Sequence, residues 1–148
     1  MNDNDQTVEQ EFINTVYTAA ETGKMAISEL LTEGRQGGMQ DVMRSHYSGY
    51  DELSRRALKM MADKGGVPKG VSKPMEWMQK GAMKMNTLMD RSDSHLAEMI
   101  LEGNNMGIVN IRKALNESES RLSDEVRDFG YDSVKLIDSF NSELRDQL

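Results

Sequence analysis

Chain breakers in this sequence sit in only a few places, and their spacing limits the fold more than any other feature. Gly34, Gly37 and Gly38 cluster; Gly65, Gly66, Pro68, Gly70 and Pro74 form a second cluster that holds both prolines of the chain. A softer break runs through Asp90, Ser92, Asp93 and Ser94, and the last lies at Asn116, Ser118 and Ser120. Between these breaks apolar residues recur at helical spacing. The first stripe reads Phe12, Val16, Ala19, Gly23, Ile27, Leu30, and the second Met43, His46, Tyr50, Leu53, Ala57, Met60. The third reads Leu96, Ile100, Gly103, Gly107, Ile111, Ala114, and the fourth Val126, Phe129, Ile137, Phe140, Leu144.

These stripes predict helices over about Val8 to Glu33, Met39 to Asp63, Ser94 to Glu117 and Arg121 to Asp146. Thr7 and Gln10 have the spacing of a capping box at the first helix start. Pro74, a favoured first-turn residue, opens a shorter helix that ends near Met89. The expected organisation is a flexible amino terminus over 1–7 and one domain over 8–148. That domain comprises a hairpin over 8–63, a connector with its short helix over 64–91, and a hairpin over 93–146. A shift of 84 residues pairs Phe12 with Leu96, Val16 with Ile100, Ala19 with Gly103, Gly23 with Gly107 and Ile27 with Ile111. The same shift pairs Val42 with Val126 and Leu53 with Ile137, so the hairpins read as an internal repeat. Two helical hairpins joined by a long connection predict an all-α four-helix bundle with a crossover.

Composition narrows the chemistry. The 148 residues contain no cysteine, which removes disulfides, thiolate metal sites and a cysteine nucleophile. Two histidines argue against a multi-histidine site. Met1 to Gln6 has neither the basic nor the apolar region of a signal peptide, and no apolar run has membrane-spanning length. A cytoplasmic location is expected, with no membrane partner. The net charge of −7 disfavours nucleic acid. Charge is nonetheless uneven: residues 1–34 carry a net −6 and residues 35–91 a net +5. The simplest use of that asymmetry is intramolecular, with the basic middle of the chain complementing acidic first and last helices.

Several features carry a resemblance. The block Ala20-Glu21-Thr22-Gly23-Lys24, the tyrosine-bearing helix after it, the proline-flanked connector and the stretch from His95 to Gly107 resemble a bacterial ferritin-like four-helix-bundle family of unknown function. More loosely, they resemble spore coat protein F-like ferritin relatives. The resemblance implies a ferritin-like bundle with an extra crossover helix, and by itself it raises spore association. Di-iron members of that fold class carry a Glu on two helices and Glu-x-x-His on the other two. Here Met43 stands three residues before His46 and Ser92 three before His95, so the motif is absent. Glu21, His46 and Glu102 are the least unsuitable ligands, and no metal, other cofactor or catalytic residue is assigned.

Two further groups are singled out. Ala19, Gly23, Gly103 and Gly107 form small-residue stripes on the first and third helices, read as a close helix crossing, with a ligand cavity as the alternative. Met75, Met78, Met85 and Met89 are expected to form a stripe on the connector helix, with Trp77 beside it, and suit an adaptable partner surface. The expected function is a non-catalytic structural or interaction protein that self-associates or binds another protein. The alternative is a ferritin-like metal-binding protein or oxidoreductase with unconventional ligands.

Overall fold

The computed structural model describes residues 3–31, 37–69 and 92–148. They form four long helices and no strand: α1 (Asp3–Leu31), α2 (Gly38–Asp63), α3 (Asp93–Ser118) and α4 (Asp124–Arg145). A short 3-10 turn, Glu119–Arg121, joins the last two. The all-α class and the helix layout follow the apolar periodicity. The connector's Met75, Trp77, Met78, Met85 and Met89 lie outside the described residues.

Helix ends are set by local chemistry, and one of them corrects the sequence reading. α1 begins at Asp3, inside the segment expected to be flexible, and Thr7 is not its cap. The Thr7 hydroxyl instead donates to the Asp3 carbonyl within the helix, and the Gln10 amide donates to the Lys64 carbonyl. Both side chains have tertiary or in-helix partners that outcompete the capping box. α2 starts after Gly37, whose φ of 112° favours glycine. It ends in a Schellman motif: Gly65 has φ 73°, its N–H donates to Ala62, and the Gly66 N–H donates to Met61. Ser92 and Ser123 cap α3 and α4 by accepting from the His95 and Val126 N–H groups.

Paired side chains fix the helix directions. α1 runs antiparallel to α2, because Glu9 meets Lys64 while Lys24 meets Asp51. α1 is also antiparallel to α3, with Ala19 opposite Gly107 at one level and Asp5 bound to Arg121 beyond the end of α3. α2 and α4 are antiparallel, since His46 meets Glu143 and Arg56 meets Asp132. α2 and α3 therefore point the same way, which a short turn cannot achieve. The long segment between Asp63 and Asp93 supplies the crossover.

The core follows the four stripes with small shifts. Phe12, Val16, Tyr50, Leu53, Ile111, Phe129 and Ile137 are fully buried or nearly so. At two helix ends the buried residue is one place further on, Met61 rather than Met60 and Leu115 rather than Ala114. An ideal straight helix drifts relative to any whole-number repeat, so a stripe extrapolated over many turns slips by a residue.

Candidate functional site

Among the described residues, eight core positions besides the apolar stripe are polar or charged: Glu9, Thr22, Gln40, His46, Ser54, Asn104, Ser133 and Asn141. Buried polar groups require partners, and most of these meet across helix boundaries. At mid-height the Tyr50 hydroxyl of α2 donates to Asn104 Oδ1 of α3 at 2.5 Å. Asn104 Nδ2 donates to Asn141 Oδ1 of α4 at 3.0 Å, and Asn141 Nδ2 donates to Asn105 Oδ1 at 2.9 Å. The donors all run one way, from the buried phenol to exposed Asn105. Burial pushes the Tyr50 pKa well above its ordinary value, so the hydroxyl remains a donor.

The small-residue stripes lie beside this chain. Ala19, Gly23, Gly103 and Gly107 line one small pocket together with Thr22, Tyr50, Asn104 and Ile137. Its volume of about 10 Å³ matches a single water position. The two central glycines do different work. A Cβ on Gly23 would stand 2.6 Å from Tyr50 Cε2 and 2.7 Å from Cζ, so Gly23 makes room for the ring from α2. A Cβ on Gly107 would meet only the Ala19 Cβ, at 3.7 Å. In the 84-residue relation Val134 stands where Tyr50 stands. A smaller side chain at that point of the second hairpin fits with the open space at Gly107.

The three least unsuitable metal ligands are not brought together. Glu21 accepts from the Ser54 hydroxyl at 2.5 Å and from Lys24 at 3.1 Å, tying α1 to α2. Lys24 in turn reaches Asp51 at 3.0 Å. Burial opposes the lysine charge, but Asp51 and Glu21 outweigh it and hold its pKa above the ordinary value. His46 is buried toward α4, where its Nε2 lies 3.3 Å from Glu143 Oε2. Its ring stacks on Phe140 at 4.2 Å, and Nδ1 has no protein partner. Burial pushes the His46 pKa down, and Glu143 opposes that shift only in part. Glu102 is exposed on the outer face of α3. Among the described residues, no three His, Asp or Glu side chains gather as a metal-binding group.

One charged residue escaped the sequence reading. Glu9 is fully buried; its Oε2 accepts from the Ser123 N–H at 2.7 Å, at the start of α4. Its Oε1 lies 3.5 Å from Lys64 Nζ, at the end of α2. Gln6 and Gln10 add hydrogen bonds to the Lys64 carbonyl at 2.7 and 2.9 Å. The first turns of α1 thus fasten the ends of two other helices. The signal was present, because Glu9 lies three residues before Phe12 and seven before Val16, on the inward stripe. Asn104, four after Ile100, and Asn141, four after Ile137, carry the same signal. The unequal charge also finds intramolecular partners, with Arg56 paired to Asp132 and Lys64 to Glu9.

No protein-family model matches the chain, and a search of curated proteins finds no relative of it. No helix among the described residues is long and apolar enough to cross a membrane.

Proposed function

We propose that this protein is a non-catalytic helical module with a ferritin-like order of helices, acting as a structural or interaction protein and self-associating through the connector. The reading of helix order draws on the parallel α2 and α3 and the single long crossover between them. The observation that carries the functional reading is how the core's polar groups are used. Glu9, Glu21, Ser54, His46, Asn104 and Asn141 each bind a side chain or backbone group of another helix. Groups engaged in this way position helices. The connector's methionine stripe supplies the expected contact surface. Sedimentation equilibrium over a range of concentrations tests it. A concentration-dependent rise above the 16.7 kDa monomer mass, reduced by Met78→Glu with Met85→Glu, is expected. A monomer at every concentration rules out self-association.

The ferritin-like alternative is tested on tag-free protein incubated anaerobically with Fe(II) and stripped of loose metal. Near-stoichiometric retained iron would overturn the non-catalytic reading and make Glu21, His46 and Glu102 the first ligands to replace. No retained iron would leave the kinship with ferritin-like proteins one of fold.

A further inference from the structure

The mid-height pocket contains one group that the hydrogen-bonded chain leaves out. Thr22 of α1 lines it and is 1% exposed, yet its hydroxyl has no protein partner. The Thr7 and Thr15 hydroxyls, both in α1, donate to the carbonyls four residues back at 3.0 and 3.1 Å. Thr22 makes no such bond. A buried hydroxyl left without a partner is destabilising, so the site calls for a ligand that bonds to it.

The remaining capacity of the pocket is specific. The Tyr50 oxygen donates its one proton to Asn104 and retains lone pairs. Asn104 Nδ2 gives one of its two protons to Asn141. Thr22, Tyr50 and Asn104 all line the same space, and their charge is neutral. An ion would be desolvated there without a counter-charge. The volume of about 10 Å³ suits one water-sized molecule.

We infer that this pocket is a binding site for one ordered water, which joins Thr22 of α1 to the Tyr50–Asn104–Asn141 chain. Without it the mid-height network links α2, α3 and α4 only. With it the polar brace spans all four helices, and the register of α1 is fixed at the level of its Gly23 cradle.

The test uses the full chain, labelled with 15N and 13C, and water-to-protein cross-relaxation by NMR, with thermal melts of two variants. Wild type is expected to show a long-lived water in contact with protons of Thr22 and Gly103 or Gly107. Thr22→Val has nearly the same shape and helix propensity but no hydroxyl. It is expected to lose the water contact and to melt several degrees lower. Thr22→Ser, which retains the hydroxyl, should keep the contact. Absence of any long-lived water contact in wild type would overturn the inference, and a higher melting temperature for Thr22→Val would show that the hydroxyl is left unsatisfied. A contact that survives in Thr22→Val would also overturn it, because the water would then be held by other groups.

Discussion

Adding one methyl group to each of two related glycines should have different consequences. A Cβ on Gly23 falls 2.6, 2.7 and 2.9 Å from three carbons of the Tyr50 ring. Carbon atoms prefer about 3.5–4.0 Å, so the ring must retreat by roughly an ångström. It has little freedom to do so. Tyr50 is 2% exposed, meets Phe140 edge-on at 5.1 Å and is anchored to Asn104 through its hydroxyl. Overpacking of this kind costs about 1–3 kcal/mol, and weakening the anchor adds about 1 kcal/mol. Alanine returns about 1 kcal/mol of helix propensity. Gly23→Ala should therefore destabilise by about 2 kcal/mol, combining those terms. Gly107→Ala meets only Ala19, at an ordinary 3.7 Å. Its expected effect lies between neutral and about 1 kcal/mol stabilising, the helix-propensity gain of alanine being offset in part where its methyl takes up pocket space. For a chain of this size 1 kcal/mol corresponds to about 2–4 °C in Tm. Urea and thermal unfolding followed by helical circular dichroism would measure both. The Gly23→Ala penalty should shrink in a Tyr50→Val background, which copies the second hairpin. Equal effects of the two alanines, or a penalty unchanged by Tyr50→Val, would refute the assignment of the Gly23 space to the Tyr50 ring.

Tyr50→Phe keeps the ring but removes the donor to buried Asn104, and should cost about 1–3 kcal/mol in urea unfolding. Glu9→Ala should cost a similar amount, about 1–3 kcal/mol, by removing the acceptor at the Ser123 N–H; amide exchange at the start of α4 should accelerate, while Glu9→Gln, whose carbonyl can still accept, should retain most of the protection. His46 titrates lower in the folded protein than its ordinary 6.5. The unfolded chain then binds the proton more readily, so its contribution to stability is complete above that value and is lost as the pH falls from 6.5 toward the folded pKa. Urea midpoints between about pH 5 and 8, the window in which an ordinary histidine titrates, should fall on the acid side in wild type and less in His46→Gln. An identical acid slope in both proteins would exclude His46 as the cause.

The candidate site was legible in outline only. The spacing of Ala19, Gly23, Gly103 and Gly107 identified a place where helices leave room, but not what occupies it. Gly23 serves Tyr50 from the neighbouring helix of its own hairpin, whereas the stripe had suggested α3. Glu21 and His46 were singled out as acid and imidazole near the core. Periodicity placed His46 inward, but it does not report that Glu143, 97 residues away, stands beside it. Glu102, by contrast, faces outward, because it lies one residue before the inward Gly103.

What the sequence determined alone is what local physics determines. The positions of glycines and serine caps set where helices begin and end, and apolar spacing set which side of each faces inward. The hairpins followed because each turn is too short for any other connection. Tertiary structure decided the pairings: Gln10 left a local cap for the Lys64 carbonyl, and Glu9 became the fastening of α4. Hydrogen bonds between residues far apart in the chain depend on the relative height and rotation of whole helices. A one-residue drift over several turns changes every such pair, while leaving the apolar pattern that specifies the fold almost untouched.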